Sequence, residues 1–89
     1  MKRYELLFKG RVQGVGFRYT SKILATKLDL TGNIENLYNG DVRCFIQGEE
    51  KSINKFIEEL KNQKFIKIDS CKKVENKIIE DESTYKIIG

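Results

Sequence analysis

The chain opens with an alternating pattern. Tyr4, Leu6 and Phe8 fall on one side, with Glu5, Leu7 and Lys9 between them, so Tyr4 to Arg11 is predicted to be a strand with one apolar face. At Phe17 the period changes to that of a helix. Phe17, Ser21, Leu24, Ala25 and Leu28 share one face, with Arg18, Lys22 and Lys27 largely off it. Gly32 is placed just past this helix, where the chain must reverse. Thr31 to Leu37 reads as a short polar strand. Tyr38 to Asp41 reads as a hairpin turn, because Asn39-Gly40 accepts the positive φ angles of tight hairpins. Val42 to Gln47 is the partner strand, with Val42, Cys44 and Ile46 on one face.

Ile53, Phe56, Ile57 and Leu60 then recur at i, i+3, i+4 and i+7, which predicts a second amphipathic helix. Glu49 and Glu50 near its start and Lys61 near its end complement the helix dipole. Phe65 to Val74 is predicted as a fourth strand, in which Cys71 joins the face of Ile66 and Ile68 only through a bulge. Thr84 to Ile88 is a short fifth strand, and the charged stretch Lys72 to Ser83 is expected to include a mobile loop. The resulting order predicts an α+β, ferredoxin-like split β-α-β sandwich, an antiparallel sheet of four to five strands with both helices on one face. A chain of 89 residues suits a single domain over 1–89.

Composition narrows the chemistry. No apolar run approaches the ~20 residues that span a bilayer, and the N-terminus lacks a signal-peptide pattern. With only two cysteines the expected setting is the cytoplasm, with Cys44 and Cys71 as buried thiols. Strands three and four should flank strand one, so two sheet spacings of about 4.8 Å keep these cysteines apart. The net charge of +4 is scattered, which suits a small anionic ligand better than a nucleic acid. There is no histidine, so imidazole bases, phosphohistidine, Ser-His-Asp triads and His-based zinc sites are excluded.

Between the first strand and the first helix runs Val12-Gln13-Gly14-Val15-Gly16-Phe17-Arg18. Two glycines two apart, a following helix and one guanidinium are the parts of an anion cradle. The turn bares backbone N–H groups, the helix presents its positive end, and the arginine closes over the charge. The N–H groups of about Gln13, Gly14, Val15, Gly16 and Phe17 can surround phosphoryl oxygens, while the Phe17 ring anchors the loop in the core. Arg18 at a helix start is unfavourable beside the dipole unless an anion joins it.

Gly10 to Arg18 (GRVQGVGFR) resembles the first signature of the acylphosphatase family, and Gly32 to Gly40 (GNIENLYNG) resembles the second. The resemblance spans essentially the whole chain. Asn33 replaces the family's tryptophan, which should cost stability or local order. Glu35 replaces its basic residue and, by strand alternation, should point away from Asn36. The resemblance implies Arg18 as the phosphate-binding residue and Asn36 as the residue that orients water, both catalytic.

The implied reaction is hydrolysis of the carboxyl–phosphate bond of small acyl phosphates by a cytoplasmic monomer, with no metal, no cofactor, no nucleic acid and no membrane partner. Two alternatives remain. One is a family-like domain that binds a phosphorylated metabolite without turning it over. The other is a ferredoxin-like module for single-stranded RNA, with Phe45 on the open sheet face. A segment of a larger carbamoyl-phosphate-processing maturation protein is disfavoured for so short a chain.

Overall fold

The computed structural model describes residues 1–89. The elements are β1 (Lys2–Arg11), α1 (Phe17–Lys27), β2 (Thr31–Asn36), β3 (Val42–Gly48), α2 (Glu50–Lys61), β4 (Lys67–Asn76) and β5 (Tyr85–Ile87). They form one five-stranded sheet in the order β4-β1-β3-β2-β5. Strands β1 to β4 pair antiparallel, whereas β5 runs parallel to β2, so the sheet is mixed. The alternation read from the sequence places Tyr4, Leu6 and Phe8 opposite Ile46, Cys44 and Val42 on one face. Ile53, Phe56 and Leu60 of α2 and Phe17 and Ala25 of α1 cover that face, completing a core of 16 buried residues.

β4 carries the expected bulge. Its register against β1 slips between Lys9–Ser70 and Gly10–Ile68, which leaves Asp69 as the extra residue. Ile68 and Cys71 therefore share a face and both pack against the core. The strand begins later than predicted, and Phe65 lies outside it and exposed. Lys72 and Lys73 are exposed on this edge strand, where charge opposes pairing with another chain.

Three local expectations need correction. First, Gly32 does not turn the chain after α1. That role falls to Asp29, the one non-glycine residue with positive φ (57°). Gly32 lies inside β2, and a Cβ there would sit 1.8 Å from the Phe45 carbonyl oxygen. Second, the β2–β3 connection is a five-residue loop, 37–41, because Asn36 already pairs with Val42. Gly40 has positive φ and Asn39 does not. The Asn39 side chain instead accepts from the Asp41 N–H at 3.0 Å, an Asx turn that local pattern alone does not distinguish.

Third, Lys72 to Asn76 continue β4, and the loop after them is tied down. Gln47 exchanges two hydrogen bonds with the Ile79 backbone, each 2.9 Å. Arg3 donates to Glu82 at 2.7 Å and Thr31 donates to the same carboxylate at 2.8 Å. Arg3 and Glu82 are both largely buried, so this pairing stitches the loop to three strands. The signal was invisible in sequence because its partners are 32 to 79 residues apart in the chain.

Both cysteines are free thiols, but only Cys44 is buried as expected; Cys71, on the edge strand β4, is partly exposed. Cys44 lies beneath the helices in contact with Tyr85 Oη at 3.3 Å, and Tyr85 Oη also donates to Ser21 Oγ at 3.0 Å. Burial pushes the Cys44 thiol up to about 12 and raises the Tyr85 phenol as well. The unfolded chain releases these protons nearer their ordinary values of 9.0 and 10.0. Above pH ~9 the native state thus holds more protons than the unfolded state, and stability must fall as pH rises. Cys44 alone should remove about 1.4 kcal/mol per pH unit above its unfolded pKa. The urea midpoint should be flat from pH ~7 to ~8.5 and then decline, with a shallower decline in Cys44→Ala. A midpoint unchanged up to pH ~10.5 would contradict this.

Candidate active site

The loop between β1 and α1 holds two left-handed glycines, Gly14 at φ 73° and Gly16 at φ 78°. Gly16 caps α1 with no side-chain hydrogen bond, and the first turn has no acidic residue. The N–H groups of residues 13 to 19 donate to no backbone carbonyl; the first such bond is Thr20 N–H to the Gly16 carbonyl oxygen at 2.9 Å. Seven successive donors at a helix N-terminus, two of them on left-handed glycines, make a concave positive surface. Phe17 is buried against Phe8, with ring centroids 5.0 Å apart, which fixes the helix start to the sheet as expected.

Gln13 has a role that the sequence did not disclose. Its side-chain amide donates to the carbonyl oxygens of Leu37 (2.8 Å) and Asp41 (2.9 Å). It clamps the first loop to the β2–β3 loop and so to the second signature. Val15 packs its side chain against the core.

A cavity of about 210 Å³ opens between α1 and the end of β2, lined by Val12, Gly14, Gly16, Phe17, Arg18, Tyr19, Asn36 and Ile87. It thus brings together Gly14, Gly16, Phe17, Arg18 and Asn36 from the expected set, but not the side chains of Gln13 and Val15. Arg18 is half-buried and donates through Nη1 to the Gly89 carbonyl oxygen. Ser21 Oγ donates to the Arg18 carbonyl at 2.7 Å, which ties this residue's backbone to the Ser21–Tyr85 contact in the core. A guanidinium has five N–H donors, so four stay available after the Gly89 contact.

Asn36 projects to the helix-covered face, in register with Val42. Its N–H donates to the same Gly89 carbonyl oxygen at 3.2 Å. Its Oδ1 is buried and accepts no hydrogen bond, the only such side-chain atom in the molecule. Buried acceptors are rarely left unpaired, and a catalytic role or a bound water is among the explanations for one that is. Gly89, which bridges Arg18 and Asn36, was missed. A terminal glycine carries no local sequence signal, and its contacts depend on β5 bringing it alongside β2.

The two departures from the second signature lie on the other face. Glu35 pairs with Arg43 across the β2–β3 ladder, so its carboxylate is neutralised away from Asn36, as alternation predicts. Asn33 lies opposite Phe45 on the same helix-free face. Phe45 is the one aromatic residue of the strands on that face, and the Arg3 and Arg43 guanidinium groups lie 5.4 and 5.9 Å from its ring centroid. A sheet that stacks two or three bases needs more than this. No group of three or more Cys, Asp or Glu converges anywhere in the chain, and no helix is long and apolar enough to cross a membrane.

Comparison with known proteins identifies the family. The family model described as acylphosphatase matches residues 4–87. An acylphosphatase of Clostridium acetobutylicum is 39% identical over 89 residues, covering 99% of this chain and 98% of the relative. The crystal structure of acylphosphatase from Bacillus subtilis superposes with a TM-score of 0.92 at 33% identity, covering 100% of both chains. The same fold recurs within a larger protein, the HypF of T. kodakarensis, at 32% identity and a TM-score of 0.86; the match covers 100% of this chain and 12% of that one. The matching family model, the full-length relative and the shared fold together place this chain in the acylphosphatase family of hydrolases.

Proposed function

We propose that the protein hydrolyses small acyl phosphates to a carboxylate and inorganic phosphate without a metal. The observation that carries this reading is the convergence on one 210 Å³ cavity of the glycine loop, Arg18 and Asn36, whose buried Oδ1 has no partner in the protein. In this reading the N–H groups of residues 13 to 17 and the Arg18 fork hold the phosphoryl oxygens. The Asn36 side-chain amide hydrogen-bonds a water and turns that water's lone pair toward phosphorus.

The leaving group explains why so few residues are enough. It is a carboxylate whose conjugate acid has a pKa of about 4.3, so departure needs no protonation by the protein. What remains is to position the water and to stabilise charge on the phosphoryl oxygens. A chain with no histidine can do both. The same reading makes the protein a cytoplasmic monomer with no nucleic-acid partner.

Phosphate binding gives a direct test. Titration with inorganic phosphate, followed by amide NMR, is expected to shift the resonances of residues 13 to 19 most. Lys73 to Asn76, which pair with the opposite end of β1 from the loop, should stay still. Shifts spread over surface lysines, with none in the glycine loop, would contradict the proposed cradle.

A further inference from the structure

Phosphoryl recognition leaves the other half of the substrate unassigned. In an acyl phosphate the acyl carbon is two bonds from phosphorus, so a phosphoryl group held by the loop must place the acyl group within or at the mouth of the same cavity. Its side-chain lining is narrow in chemistry. Beyond Arg18 and Asn36 it consists of Val12, Phe17, Tyr19 and Ile87. Val12 and Phe17 are 1% and 2% exposed and have almost no surface to offer, whereas Tyr19 is 68% exposed and Ile87 38% exposed.

Tyr19 follows Arg18 directly in the first turn of α1, and Ile87 comes from β5, so the two reach the cavity from different elements. No acidic side chain lines it, and no lysine. A polar or charged acyl group would find no partner beyond the groups already engaged with the phosphate and the water, apart from the Tyr19 hydroxyl. An apolar one would cover surface that is otherwise in water.

We infer that Tyr19 and Ile87 form the acyl-binding wall of this site and make the protein selective for acyl phosphates with an apolar acyl group larger than acetyl. The inference rests on the phosphate-cradle reading above. It makes Tyr19 a specificity-determining residue with no part in bond cleavage. Contact with one ring face is worth about a tenfold change in affinity for an aryl substrate.

The test compares benzoyl phosphate with acetyl phosphate as substrates. The parent should prefer benzoyl phosphate in kcat/KM by about tenfold or more. Tyr19→Ala should lose most of that preference, through a raised KM for benzoyl phosphate with kcat little altered, and Tyr19→Phe should retain it. Ile87→Ser should reduce it in the same direction. Ile23→Ala is the control: Ile23 is an exposed apolar residue of the same helix that lies outside the cavity. It should keep the parental ratio. A parent that hydrolyses both substrates, with a Tyr19→Ala ratio equal to its own, would overturn the acyl wall and leave the phosphate cradle standing. Hydrolysis of neither substrate by the parent would overturn both.

Discussion

Arg18→Ala is expected to lower kcat/KM for acyl-phosphate hydrolysis by at least 10³-fold, and to weaken inorganic phosphate binding in parallel. The size follows from the number of donors lost. One residue supplies a charge-assisted fork to two phosphoryl oxygens, and single donors of this kind are already worth about 10²–10³ in rate. Arg18→Lys should recover little, because an ammonium restores the charge without the planar pair of donors. The fold should be nearly unaffected. Arg18 is half-buried, and its main side-chain contact is with the Gly89 carbonyl oxygen. A normal melting temperature with lost activity and lost phosphate affinity is therefore the expected combination. Activity within tenfold of the parent would remove Arg18 from the centre of the site.

Asn36→Ala should separate rate from binding. It is expected to lower kcat by about 10²–10³-fold while the affinity for inorganic phosphate changes less than threefold. In the proposed mechanism the phosphate is held by the loop and Arg18, and the water alone depends on Asn36. The stability change should be small or even favourable. The parent buries an Oδ1 that no group of the protein satisfies. Deleting it removes a desolvation cost that unpaired buried acceptors typically carry, of the order of 1 kcal/mol. Such an outcome would be an instance of the usual tension between stability and activity. Urea melts and steady-state kinetics on the same preparation check both halves. Asn36→Ala with the parental kcat would end the water-orienting role.

The legible parts of this chain were those governed by short-range physics. The alternation in β1, the apolar stripe Ile53–Phe56–Leu60 and the glycine run all follow from residues a few positions apart. So did the β4 bulge, because Cys71 could share the Ile68 face in no other way. The face of Glu35 was read correctly from the two-residue period of a strand. The parts that escaped depend on residues far apart in sequence. β5 has three residues, and its parallel pairing with β2 is set by tertiary packing around Tyr85, not by its own pattern. Gly32 looked like a helix stop because glycine so often serves as one, yet the close approach of Phe45 determines it.

The site divides in the same way. Arg18 and the loop glycines were readable as an anion cradle from composition and spacing alone. Asn36 was not; its weight came from resemblance to the family signature, and the structure adds that the residue lines the same cavity as Arg18 and carries a buried acceptor with no partner. Gln13 was expected only as a backbone donor, whereas its side chain spans two loops. Such bracing is invisible until both loops have positions in space.

Hydrolysis of benzoyl phosphate by the purified protein in EDTA decides whether this site catalyses without a metal. Turnover is expected in EDTA, at a rate that added Mg²⁺ does not raise. No turnover at all, or turnover only after a divalent metal is restored, would contradict it.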